Sequence, residues 1–275
     1  MTMDREFKLI LFSTDPSFIA RAVAAGVDSI IVDWENRGKS TRQAFADTQI
    51  NHDTLDDLKR VRKSTEAHVI CRVNQWGPWT RLEIEDVIEA GANEILLPMV
   101  QTVEEVEGVL KQVNGRCGVG ILVETRAAID LAQNLGSLPL SLVYVGLNDL
   151  SIGRGTPNIF TPLVDGMLET VRRFFPMPFG FGCLTLPELG TPIPCRLLIG
   201  EFARMDCQFS FLRRSFHRDI QGRDMATEIP RIHEALRKAF QRTPEEVEQD
   251  RRELEEAVRT WTNSWMPIRE VSING

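Results

Sequence analysis

NEILLPMVQTVEEVEGVLKQVNGRCGVGILVETRAAIDLAQNLG, residues 93–136, is the stretch that decides the fold. It contains two short apolar runs, NEILLPMV (93–100) and CGVGILVE (117–124), each followed by an amphipathic segment. The runs are almost continuously apolar rather than alternating, which predicts strands buried on both faces, as in a parallel sheet. The segment TVEEVEGVLKQV between them opens on a threonine cap and reads as a helix.

The same unit recurs in both directions. Toward the N-terminus lie HVICRVN (68–74) with the helix LEIEDVIEAG, then DSIIVDW (28–34) and KLILFS (8–13), the last followed by a helix from Pro16 to Ala25. Thr54, with Asp57 three residues on, caps the helix TLDDLKRVRKS. Toward the C-terminus follow SLVYVG (141–146), a helix near 161–174, PFGFGC (178–183) and CQFSFLRR (207–214). Eight strand–helix alternations with right-handed crossovers predict an α/β fold, a (β/α)8 TIM barrel with extra C-terminal helices. An open doubly wound sheet would carry a glycine-rich phosphate loop after its first strand, and STDPSF has none. The expected division is a catalytic barrel over 1–227 and a helical extension over 228–275, packed on the barrel or on a neighbouring subunit. Val247, Leu254, Val258 and Trp261 form the apolar stripe of that otherwise charged segment.

A length of 275 residues with 43% hydrophobic and 26% charged residues suits one large soluble domain. The net charge of −7 and the lack of a basic block argue against nucleic acid. No run is long and apolar enough for a membrane span, and the N-terminus does not read as a signal peptide. Five scattered cysteines, Cys71, Cys117, Cys183, Cys195 and Cys207, read as reduced thiols and predict a cytoplasmic protein.

In such a barrel the chemistry sits where strands end. The polar residues at those points are Asp33, Glu35 and Asn36; Arg72 and Asn74; Glu124; Asn148 and Asp149; Cys183; and Arg213 and Arg214. Glu124 and Asp149 suit a hard divalent cation, Mg2+ or Mn2+ with Co2+ as a further candidate; the alternative is a helix cap and a turn. Arg72 ends a hydrophobic strand and requires an anionic partner, either Glu35 or a substrate carboxylate. Arg214 is placed to meet a barrel acid or a second anionic group on a substrate.

The blocks VDWENRGKSTRQ (32–43), CRVNQW (71–76), GANEILLPMVQTVEEVE (91–107), ILVETRAAI (121–129) and VGLNDLSIGRG (145–155) resemble, in order, those of the HpcH/HpaI-type aldolase and citrate lyase β-subunit family of the phosphoenolpyruvate/pyruvate barrels. The resemblance implies that Glu124 and Asp149 ligate the metal and that Arg72 contacts a 2-keto acid. It also implies that the amides near Asn148 and Asp149 hold the acid's carboxylate, and that Glu35 ties down water or Arg72. The class II aldolases of the family carry a histidine where this chain has Asn36, and an amide cannot cycle a proton near neutral pH. His52 and His217 follow strand ends and are the candidate replacements, beside a water held by Glu35. His68 and His233 read as structural. None of Lys8, Lys59, Lys63, Lys111 and Lys238 ends a strand, and Lys39 alone falls in a catalytic-side loop, which argues against Schiff-base chemistry. The expected activity is metal-dependent carbon–carbon lysis or aldol addition of a pyruvate-like 2-keto acid in a homo-oligomer. The alternatives are an acyl-CoA lyase or citrate synthase-like condensing enzyme, and a barrel that only binds a metabolite.

Overall fold

The structure, a computed structural model, describes residues 7–38, 51–156, 158–212 and 214–265. Eight parallel strands close into a barrel in chain order. They are β1 (Lys8–Phe12), β2 (Ser29–Asp33), β3 (His68–Arg72), β4 (Glu94–Leu97), β5 (Gly118–Val123), β6 (Leu142–Val145), β7 (Phe179–Phe181) and β8 (Phe209–Leu212). Helices surround them, so the α/β (β/α)8 expectation holds. Both predicted threonine caps are present: Thr54 and Thr102 each accept from the third helical amide, while Asp57 and Glu105 reach back to the cap N–H.

Alternate residues of each strand belong to different cores. Ile30, Val32, Val69 and Cys71 face the helices. Ile10, Phe12, Ile31, Ile70, Leu96, Leu122, Leu142, Tyr144, Phe209 and Phe211 fill the barrel. Because the side-chain period is two, one further step along the inward set reaches Asp33 on β2 and Arg72 on β3, then Glu124 and Gly146 just past β5 and β6. Asp33, Arg72 and Glu124 thus cap an apolar interior.

The helix expected near 161–174 is broken into a 3-10 turn, Thr161–Leu163, and a helix, Met167–Arg172. Pro162 lies in the turn, and Gly166 between the two pieces has φ 82°, a left-handed conformation that ends one and starts the other. The C-terminal helices run Met225–Ala239 and Pro244–Trp265, and both pack on the barrel helix Cys195–Arg204. Of the apolar stripe, Leu254 and Val258 are 1% and 3% exposed and join the barrel's own core. Asn158 fastens this helix by donating to Val258 O at 3.1 Å and Thr262 Oγ1 at 2.8 Å. Leu254→Ala is expected to cost about 2–5 kcal/mol in urea unfolding, the range for a buried leucine whose cavity cannot collapse. A cost near zero would mean that this helix is not part of the cooperative unit.

Candidate active site

Arg72 is fixed by two acids. Its Nε and Nη2 donate to both carboxylate oxygens of Asp33 at 2.7 and 2.6 Å, and Nη1 lies 3.2 Å from Glu35 Oε2. Asp33 and Arg72 are register partners on β2 and β3, so their side chains emerge side by side on the same face. Arg72, Asp33 and Glu35 are 4%, 0% and 1% exposed. Burial alone would lower the guanidinium pKa, but Asp33 and then Glu35 overcome it, and the charge is held beyond the ordinary arginine range. Sequence reasoning named Glu35 or a substrate as the partner and passed over Asp33, which makes the bidentate contact. Two opposite charges end consecutive strands, but only the register sets Asp33, and not Glu35, opposite Arg72. Asp33 is braced in turn, its N–H donating to Asp53 Oδ2 at 2.9 Å.

Asn74, two residues beyond Arg72, ties the neighbouring loops together. Its Oδ1 accepts from the N–H groups of Asn36 and Arg37 at 3.0 Å each, and its Nδ2 donates to Glu83 Oε1 at 2.8 Å. Asn36, where the resembling aldolases have histidine, is thereby held at the mouth by its backbone.

Glu124 stands on the other side of the mouth at 3% exposure. Its Oε1 accepts from Met99 N at 2.9 Å. Met99 has φ 55°, an unfavourable conformation for a side chain of this size and one that recurs at functional sites. Its Oε2 lies against Gly146, where a Cβ would come within 2.4 Å of it. Burial, then the charges of Glu35 and Asp149, push the Glu124 carboxyl up to about 8, against the opposing pull of Arg72. Gly146 is also the N-cap of the helix Leu147–Arg154, which places Leu147, Asn148 and Asp149 in its first turn. The first N–H groups of a helix lack intrahelical acceptors and face the helix's positive end, an arrangement suited to a carboxylate.

Among the described residues no group of three or more His, Cys, Asp or Glu side chains is arranged to hold a metal. A divalent cation held by two carboxylates, with waters and substrate oxygens completing the shell, needs no such group. Glu124 and Asp149 fit that chemistry: the buried Glu124 carboxylate feels the charges of both Asp149 and Glu35, and the missing Cβ of Gly146 makes room for its Oε2.

The other predicted residues are placed as follows. His217 Nε2 lies 2.6 Å from Phe12 O, and its ring stacks on Phe18 at 4.9 Å. That nitrogen is therefore occupied as a donor to the end of β1. His52 is exposed and adjoins Asp53, at the C-terminal end of β2. Arg214 is exposed at the start of the helix Arg214–Asp219, near enough to Cys183 to act on its thiol. Desolvation nevertheless pushes Cys183 up to about 12, which makes it a poor nucleophile. His68 pairs with Glu94 at 3.0 Å at the opposite end of the barrel, and His233 lies 2.9 Å from Gly26 O. All five cysteines are free. Lys39 and Arg213 lie outside the described residues. No helix among the described residues is long and apolar enough to cross a membrane.

A closed parallel barrel whose inward strand ends carry Asp33, Arg72 and Glu124 beside a helix N-terminus matches a family already suggested by the strand-end blocks. The profile of the HpcH/HpaI aldolase/citrate lyase family matches residues 7–159, more than half of the chain, and the chain belongs to that family. Over 116 residues it is 28% identical to the hydroxypyruvate/pyruvate aldolase of Roseobacter denitrificans (strain ATCC 33942 / OCh 114), covering 41% of this chain and 40% of that enzyme. The match therefore spans about two fifths of that relative's length. The crystal structure of citrate synthase SbnG shares the fold, with a TM-score of 0.59 and 18% identity over 79% of this chain and 91% of that one.

Proposed function

We propose that this protein is a divalent-metal-dependent carbon–carbon lyase of the pyruvate aldolase type, acting on a 2-oxo acid or a hydroxy-2-oxo acid. The observation that carries the reading is the mouth itself: Glu124 seated against Gly146, with Asp149 and a doubly anchored Arg72 around it. Membership in an aldolase/citrate lyase family and the partial match to a pyruvate aldolase support it.

Glu124 and Asp149 would hold Mg2+, Mn2+ or Co2+. When bound, the cation supplies Lewis acidity toward the 2-oxo and carboxylate oxygens of the substrate. The chain's own residues do the rest. The N-terminus of the helix at Leu147–Asp149 holds the substrate carboxylate. Arg72, unable to rotate away from Asp33 and Glu35, presents a fixed positive charge where negative charge grows as the carbon–carbon bond breaks. We assign the hydroxyl proton to a water held by Glu35: Asn36 cannot accept it, His217 Nε2 is engaged with Phe12 O, and His52 is exposed to solvent beside Asp53. Arg214, at the rim, meets a second anionic group of the acceptor. The condensing alternative has only the likeness of fold to a citrate synthase in its favour.

The test is pyruvate release from a panel of 4-hydroxy-2-oxo acids, with chelator and with Mg2+, Mn2+ or Co2+ added. Cation-dependent turnover that disappears in Asp149→Asn supports the proposal; turnover indifferent to chelator overturns the metal assignment. Gly146→Ala supplies a further expected outcome. Its Cβ would sit 2.4 Å from Glu124 Oε2, so the carboxylate must move. A displacement on the order of 1 Å at such a group lowers kcat about 100-fold. Wild-type kcat in that variant would show that the position of Glu124 is immaterial.

A further inference from the structure

We infer that Met99 is a positioning residue for the cation: its backbone N–H holds Glu124 Oε1 and so leaves Oε2 as the oxygen that meets the metal; this rests on the proposed function. Glu124 follows β5, which lies between β4 and β6 in the barrel. Its two carboxylate oxygens reach to opposite neighbours. Oε1 accepts from Met99 N, past the end of β4, at 2.9 Å. Oε2 lies against Gly146, past the end of β6, and Asp149 stands in the first turn of the helix that Gly146 caps.

Among the described residues no hydrogen bond or ion pair reaches Oε2. Glu124 is 3% exposed, and a buried carboxylate oxygen without a donor is costly. A divalent cation supplies what is missing on that side, next to the second proposed ligand. On the β4 side the Met99 N–H already occupies the carboxylate. Glu124 therefore has one oxygen held and one to offer.

The backbone of Met99 is bent to make this contact. Its φ of 55° is shared in sign by three other non-glycine residues among those described, Asn114, Cys183 and Asp206. Asn and Asp tolerate that conformation, and both of these follow helices. Met99 and Cys183 are not of those types, and each follows a barrel strand. Such a conformation persists only where its surroundings fix it. Here Val100 O accepts from Thr125 Oγ1 at 2.5 Å, and Gln101 N donates to Glu105 Oε2 at 2.8 Å. Thr125 is itself fixed, accepting from Ala128 N at 2.9 Å. The loop after β4 is thus clasped to residues 124 and 125 by two bonds, one to each. An extended φ at Met99 would turn its N–H away from Oε1.

The test is Mn2+ affinity, read from the electron paramagnetic resonance of the free ion, with no substrate present. Met99→Gly and Met99→Asn keep the N–H and adopt a left-handed backbone readily, so both should bind Mn2+ as the wild type does. Met99→Val and Met99→Ile disfavour that backbone and should bind about 10–100-fold more weakly, the usual cost of losing a group that orients a metal ligand. Asn and Val both remove the methionine side chain, so a difference between them reports the backbone. The wild type gives a reading that does not depend on how the β-branched variants fold. In protein labelled with 15N-methionine, the amide resonance missing from Met99→Gly should move as Mg2+ saturates the site. If all four variants bind Mn2+ alike, or that resonance stays still, the inference is overturned while the proposed function stands. If the wild type binds no Mn2+, or Asp149→Asn binds it as tightly, the proposed metal assignment fails and this inference falls with it.

Discussion

Replacing Asp33 by alanine should lower the unfolding free energy by about 3–5 kcal/mol, the usual cost of leaving a buried charge without its partner. Arg72 is 4% exposed and would lose two of its three charge-assisted contacts, keeping Glu35 at 3.2 Å. Arginine cannot escape by giving up its proton, because a guanidinium stays charged at any ordinary pH. The barrel must then admit water beside Phe12 or swing Arg72 toward Glu35 and Glu124. Either movement also removes the fixed charge on which the proposed chemistry depends, so activity should fall along with stability. Urea unfolding of Asp33→Ala gives the first number. The triple variant Asp33→Leu/Glu35→Gln/Arg72→Met gives the second and should be less damaging than the single change, because it removes the orphaned guanidinium together with the buried carboxylate that pairs with it. A single variant within about 1 kcal/mol of wild type would show that Glu35 alone satisfies Arg72.

This pair also marks how far the sequence could be read. Strand positions were legible because apolar runs, threonine caps and turn residues all agreed, and the closed barrel has the predicted order. Glu124, Asp149 and Arg72 were legible as polar groups that end apolar strands. The identity of Arg72's partner was not, because Asp33 and Glu35 are both on the inward set of β2 and its extension. Only the register, with Asp33 opposite Arg72, separates them. His217 could be assigned to the catalytic side from its place after β8, but the distance to Phe12 O that occupies Nε2 spans 205 residues of chain. The C-terminal stripe posed the opposite problem. Leu254 and Val258 were legible as an apolar face, but sequence period cannot say which surface covers it, and in the fold it is the helix Cys195–Arg204 of the same chain.

Without a cation, the stability of the protein should fall with rising pH because of Glu124. Burial first, then the charges of Glu35 and Asp149, together raise its carboxyl from 4.5 to about 8. Between these values the folded chain keeps a proton that the unfolded chain has released. The contribution is therefore complete below about pH 4.5 and is lost progressively as pH rises toward 8. Its slope is at most about 1.4 kcal/mol per pH unit, the value for one proton. Other carboxylates titrate at the acid end of this window, so the informative quantity is the difference between wild type and Glu124→Gln. The glutamine cannot ionise, and its curve should lack this downward slope. A divalent cation binds the ionised carboxylate and competes with the proton. Added Mn2+ should therefore raise the wild-type melting temperature, more at pH 8 than at pH 6, and should do little to Glu124→Gln. Urea unfolding from pH 5 to pH 9 in chelator measures the first effect, and thermal melting at pH 6 and pH 8 with and without Mn2+ measures the second. Parallel curves for the two proteins in chelator would refute the raised pKa. An equal response to Mn2+ in both would place the cation somewhere other than Glu124. The same acid that weakens the empty barrel near neutral pH is, on this account, what makes the mouth receptive to a metal.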